Sequence, residues 1–272
     1  MKSFFKNVLS TIVGVVLSVV VVVLLFIGII SIAISALDSD KETKVKANSI
    51  LKITLSKPIV ERASDNPFEN LSITNMNPET EMELKTVLDN IEKAKTDDRI
   101  KGIYLNVPFV NAGLSQTEEI RNKLLDFKTT GKFIISYAEN YSQNGYYLSS
   151  VSDEIFLNPE GIFELKGFSA QIIFFKGLLE KLDIEAQAIR HGKFKSAIEP
   201  FVLDKMSKAN REQISLLLTT ISDNILDSIA SQRGLSLGRV EELADNLELN
   251  TAANCLENNF VDALIYQDEL EN

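Results

Sequence analysis

Ile103-Tyr104-Leu105-Asn106-Val107, Ser115 to Gly131, Phe133-Ile134-Ile135-Ser136-Tyr137, Gly145 to Val151 and Glu154-Ile155-Phe156-Leu157 follow one another through the middle of the chain. Three of these are short apolar runs rich in β-branched and aromatic residues, and they read as buried strands. Ser115-x-x-Glu118 has the pattern of a capping box. The helix it opens carries Ile120, Leu124 and Phe127 on one face and stops at Gly131. Gly145 to Val151 reads as a shorter helix. Strands that alternate with helices predict an α/β domain with a mostly parallel sheet.

The pattern extends in both directions. Upstream, Asn48 to Ser56 reads as a first strand, and the polar stretch from Pro58 to Asn77 as a long surface loop. Asn77 can cap the next helix, Pro78 suits its first position, and Glu79, Glu81 and Glu83 suit the positive end of its dipole. Leu84, Val87, Leu88, Ile91 and Ala94 fall on one face of it. Downstream come a helix at Phe174 to Leu182 and a strand at Ala186 to Arg190. A long helix follows from about Lys208 to Gln232, with a stripe of Ile214, Leu217, Ile221, Ile225 and Ile229 and a stop at Gly234. Shorter helices at Ser236 to Asn246 and Ala252 to Asn258 precede a last strand at Val261 to Tyr266.

The N-terminus has a different character. No charge occurs between Lys6 and Asp38. The apolar run from Val8 to Ala36 exceeds the roughly 20 residues that a membrane-spanning helix needs. A signal peptide has an apolar region of only about 7–15 residues, and Ile34-Ser35-Ala36 is a poor cleavage site, so the run reads as an uncleaved anchor. Lys2 and Lys6 precede it, which places the N-terminus in the cytoplasm and the rest outside the inner (plasma) membrane. The predicted organisation is a cytoplasmic tip and anchor at 1–37, a charged linker at 38–47 and an α/β domain at 48–272.

Composition excludes several functions. The chain has 272 residues and a formal net charge of −10, whereas nucleic-acid binding needs clustered Lys and Arg. A single cysteine, Cys255, excludes an intramolecular disulfide and a multi-cysteine zinc site. It reads as a small buried hydrophobe. A single histidine, His191, excludes a His-rich metal centre and reads as a surface residue. No glycine-rich phosphate loop is present, and no cofactor is expected.

The segment from His191 to Phe201 stands apart: it follows an expected strand, opens on Gly192, and sets Lys193 and Lys195 beside small and apolar residues. A lysine packed among apolar groups loses hydration, which favours the neutral amine and lets it act as a base. An ordinary snorkelling lysine is the competing reading.

Gly192-Lys193-Phe194-Lys195-Ser196-Ala197-Ile198-Glu199-Pro200-Phe201 resembles the G-x-[YF]-K-S-A-x-E-P-F motif of signal peptide peptidases of the protease IV type, peptidase family S49. Other segments match in order. Asn144-Gly145-Tyr146-Tyr147-Leu148 resembles the family's G-Y-Y segment, and Asp153 to Pro159 the strand after it. Gly161 to Gly167 resembles a G-x-x-[ED]-L-x-G stretch, Asn111-Ala112-Gly113 a small-residue turn, and Asn254 to Ala263 the closing element.

The resemblance implies a crotonase- or ClpP-like α/β fold and a Ser/Lys dyad with Lys195 as the general base. Lys193 matches no catalytic position, and Ser196 is placed to hydrogen-bond the Lys195 amine. The nucleophile position falls on Gln143, whose amide cannot be acylated, and Ser142 is one residue away. Long members of the family are tandem duplications in which one half supplies the lysine and the other the serine. This chain resembles the N-terminal, lysine-bearing half. The implied function is a membrane-anchored serine endopeptidase that degrades cleaved signal peptides, as a homo-oligomer or with a serine-bearing second half. The alternative is a non-catalytic peptide-binding or scaffold homologue.

Overall fold

A computed structural model describes residues 2–37, 44–62, 81–187, 189 and 191–271. The chain divides into two compact units, residues 1–45 and 46–272. The first holds helix α1 (Lys2–Leu37), whose segment Ser3–Ile29 is long and apolar enough to cross a membrane, a property that signal sequences share. Thr11 and Ser18 donate their hydroxyls back to the carbonyls of Asn7 and Val15, at 3.0 and 2.8 Å. Those hydroxyls are therefore satisfied within the helix itself.

The second unit runs β1 (Ser49–Ile53), β2 (Ile59–Val60), β3 (Met82–Glu83), α2 (Leu84–Thr96), β4 (Ile100–Leu105), α3 (Leu114–Lys128), β5 (Phe133–Ala138), α4 (Gln143–Ser149) and β6 (Glu154–Leu157). It continues through α5 (Lys176–Lys181), α6 (Glu199–Val202), α7 (Lys208–Arg233), α8 (Leu237–Asp245), α9 (Ala252–Glu257), β7 (Ala263–Leu264) and α10 (Gln267–Glu271). Five strands form one parallel sheet in the order β1-β4-β5-β6-β7, and β2 pairs with β3 in a small second sheet. This is the α/β architecture with a mostly parallel sheet that the alternating pattern predicts. Ile103, Leu105, Ile134, Ile155 and Leu157 are wholly buried.

Tyr141, Tyr146, Phe163 and Phe260 make an edge-packed aromatic cluster, with ring centroids 4.6 to 6.3 Å apart. The Tyr146 hydroxyl donates to the Phe260 carbonyl at 2.7 Å, so its burial leaves no polar atom stranded. Arg121 is a buried charge. Its guanidinium lies 5.0 Å from the Tyr147 ring and donates to the carbonyls of Tyr147 and Ser228, which ties α3 to α4 and α7.

Several expectations need correction. The proposed cap at Asn77, Pro78 and Glu79 lies outside the described residues. However, α2 begins only at Leu84, because Met82 and Glu83 pair with β2, so Glu81 and Glu83 precede its first turn. The cap of α3 is Gly113, not Ser115. Gln116 folds back and its Oε1 accepts the Gly113 N–H at 2.9 Å, which leaves Ser115 and Glu118 inside the helix. Residues 188 and 190 of the expected strand at 186–190 lie outside the described residues. Residues 186, 187 and 189 are in no strand, and the sheet offers them no partner. Gly234 does end α7, at φ 66°, but the stripe on that helix is buried only from Ile225 onward, and Leu217 is exposed.

Candidate active site

Two places in the second unit correspond to the sequence motifs. One is the N-terminus of α4. Ser142 caps it: its Oγ accepts the Gly145 N–H at 3.2 Å and donates to the Pro108 carbonyl at 2.9 Å. The Ser142 N–H donates to the same carbonyl at 3.0 Å. Gly145 is required here, since a Cβ would stand 2.5 Å from the carbonyl oxygens of both Val107 and Pro108. This close approach pins α4 to the loop after β4 and so fixes Gln143, its first residue.

The Gln143 side chain turns to the extended segment that follows β6, where its Oε1 accepts the Lys166 N–H at 2.9 Å. That segment is held beside the start of α4 by two backbone bonds, Tyr141 N–H to Ile162 O and Glu164 N–H to Tyr141 O, at 2.9 and 2.8 Å. A cavity of about 410 Å³ opens between them, lined by Phe109, Val110, Gln143, Asn144, Lys166 and Phe168 among others. Ser142 also lines it, but its hydroxyl is committed to capping.

The second place is the loop that carries Lys195. Lys195 is exposed, and it lines an open cavity of about 550 Å³ with Ile189, His191, Phe194, Ser196 and Ile198. The structure thus exposes the lysine that the motif singles out. His191 is exposed, as expected. Lys193 turns toward α7: its Nζ lies 3.9 Å from Glu212 and 5.0 Å from the Phe194 ring centroid. Among the described residues, the cavities at Lys195 and Gln143 share no lining residue.

Cys255 is wholly buried, and burial pushes its thiol up to about 12, so it is an inert core residue. Glu199 was legible only as a letter of the motif. It is buried, and it accepts hydrogen bonds from Ser207 and Asn210. The available signal was Ser207 at a helix start eight residues downstream, which matters only once the loop is folded onto it.

The parallel sheet and its helices define an α/β domain. Residues 126–272, more than half of the chain, match the family described as Peptidase family S49, and the chain belongs to that family, whose fold is of the crotonase and ClpP type. It is 34% identical to Protease 4 of Salmonella typhi over 199 residues, 70% of this chain and 32% of the relative. It is 33% identical to the chloroplastic serine protease SPPA of Arabidopsis thaliana over 198 residues, 73% of this chain and 28% of that one. The Protease 4 of Haemophilus influenzae is 36% identical over 151 residues, 55% of this chain and 25% of the relative. The chain therefore spans about a third or less of the length of these relatives.

Proposed function

We infer that this chain is the lysine-bearing part of a membrane-anchored serine endopeptidase that degrades cleaved signal peptides. The observation that carries this reading is the Gly192–Phe201 segment, which matches the lysine motif and sets Lys195 in the lining of a cavity, while the resemblance puts the nucleophile position at Gln143, the first residue of α4. In this reading a serine hydroxyl attacks the scissile carbonyl and passes its proton to the Lys195 amine. Lysine then gives that proton to the leaving amine, and it serves as base again when water hydrolyses the acyl-enzyme. The serine comes from outside this chain, from a second half or an associated subunit.

Exposed apolar side chains in and before the loop support such an arrangement. Phe194 beside Lys195, Phe201 at the end of the motif, and Ile173, Leu178, Leu182 and Ile184 in the segment before it are all exposed, and exposed apolar surface marks contact sites. A subunit seated on the loop would also exclude water from Lys195. The anchor at 1–37 and linker at 38–47 would hold the domain at 48–272 outside the inner membrane, beside peptides left there by export. Lys2 and Lys6 support the cytoplasmic placement of the N-terminus.

A second reading, a non-catalytic peptide holder, is favoured by the Gln143 amide, which fills the nucleophile position and is itself bonded to Lys166. The test is cleavage of a fluorogenic apolar peptide by the full chain in detergent, alone and mixed with a serine-bearing S49 chain. The first reading expects turnover only in the mixture, abolished by Lys195→Ala. Binding of the peptide without turnover in any mixture selects the second.

A further inference from the structure

A general base must be held to within a fraction of an ångström, yet residues 191–198, which carry Lys195, contain neither helix nor strand. The chain is firmly held just beyond them. Glu199, four residues after Lys195, is 2% exposed, and a buried carboxylate is tolerated only where donors surround it. One oxygen accepts the Ser207 hydroxyl at 2.6 Å. The other accepts the Ser207 N–H at 3.1 Å and the Asn210 side-chain amide at 3.0 Å.

Ser207 is also the cap of α7, and its Oγ accepts the Asn210 N–H at 3.1 Å. The carboxylate therefore sits at the positive end of a 26-residue helix, where negative charge is stabilised. The Glu199 N–H donates to the Ser196 carbonyl at 2.9 Å, closing a turn onto the residue next to Lys195. On the far side, the Pro200 carbonyl accepts the Phe175 N–H at 2.6 Å, and Phe201 stacks on Phe175 with centroids 5.9 Å apart.

We propose that Glu199 is a positioning residue for Lys195: its carboxylate docks the lysine loop on the start of α7 and so sets where the amine stands. The proposal rests on the reading of Lys195 as the general base. Glu199 itself touches no reacting atom.

The test uses the full chain in detergent, with amide hydrogen exchange, and the mixed enzyme with a serine-bearing S49 chain, with an apolar test peptide. Glu199→Ala should speed exchange at 193–198 at least tenfold while β4, β5 and β6 keep wild-type rates. Because a misplacement of about 1 Å costs on the order of 100-fold, it should lower kcat by about that factor and leave KM within about twofold. Glu199→Gln keeps one acceptor oxygen, so its kcat should fall about tenfold, between the two. If Glu199→Ala fails to fold, the glutamine variant decides, and wild-type kcat with wild-type loop exchange overturns the proposal. An unchanged kcat in Glu199→Ala, in a mixture that Lys195→Ala silences, overturns the proposal and leaves the general-base reading standing. Turnover indifferent to Lys195→Ala overturns that reading, and the proposal with it.

Discussion

Ile103, Leu105, Ile134 and Leu157 in the sheet are out of contact with water, whereas Ile173, Leu178, Leu182, Ile184, Leu216 and Leu217 each leave more than half of their surface in it. The residue types are the same, so hydrophobicity alone does not explain the difference. These sheet residues are buried within the chain: α2 packs on β4, and Leu157 lies in the cluster built with α4, α7, α8 and α9. Along the arm from residue 168 to the first turns of α7, Phe168 packs against the main core, Phe175 stacks on Phe201, Lys176 reaches Asp204 at 3.1 Å, and Glu199 is held by Ser207 and Asn210. One region buries its apolar side chains within the single chain, and the other leaves these six exposed. Lys195 belongs to the second.

The largest test of this contrast is in the core. Tyr146→Ala removes the centre of the aromatic cluster and the donor to the Phe260 carbonyl. It should cost about 3–5 kcal/mol in equilibrium unfolding. A cost below about 1 kcal/mol would mean that the cluster is not closely packed.

The next is electrostatic. Asp262 links α7, β6 and the approach to β7: its carboxylate accepts from Arg233 at 2.9 and 3.1 Å and from the Ile155 N–H at 2.7 Å. Burial works against its charge, but Arg233 and that N–H hold the carboxyl below its usual 3.8. A depressed folded-state value means that the stabilisation is present above the unfolded value and is lost as pH falls through the folded one. Asp262→Asn should therefore cost about 1–3 kcal/mol at pH 7. Wild type and variant should converge as unfolding is repeated below pH 4, and a pH-independent gap would contradict the linkage.

The smallest stability effect belongs to the arm. Leu182→Ser, at an exposed position, should change unfolding by no more than about 0.5 kcal/mol. It should nonetheless reduce the assembled mass seen by light scattering in detergent. A destabilisation like that of Tyr146→Ala would erase the contrast between the regions.

Legibility in the sequence follows the same division. Strands β4, β5 and β6 were readable because buried parallel strands are short apolar runs bounded by turns. Gly234 was readable because a left-handed stop favours glycine. The cap of α3 was misplaced by two residues, because a glycine cap assisted by Gln116 looks weaker than Ser115-x-x-Glu118. The expected strand at 186–190 failed because apolar alternation says nothing about whether a neighbouring strand exists. At the site, the motif located the Lys195 loop and Gln143. It did not reveal that Lys195 is exposed in the chain by itself, or that Glu199 is buried, since both depend on contacts between distant segments.

The central claim is that Lys195 acts on a serine that this chain does not carry. The most direct measurement is labelling by a serine-directed fluorophosphonate, with intact mass and peptide mapping to locate the adduct. The full chain would be treated alone and with a serine-bearing S49 chain, as wild type and as Lys195→Ala. The account predicts labelling only in the mixture, on the other chain's serine, and its loss in the variant. Labelling of this chain alone at Ser142 would contradict it, because the capping hydroxyl would then be a self-sufficient nucleophile.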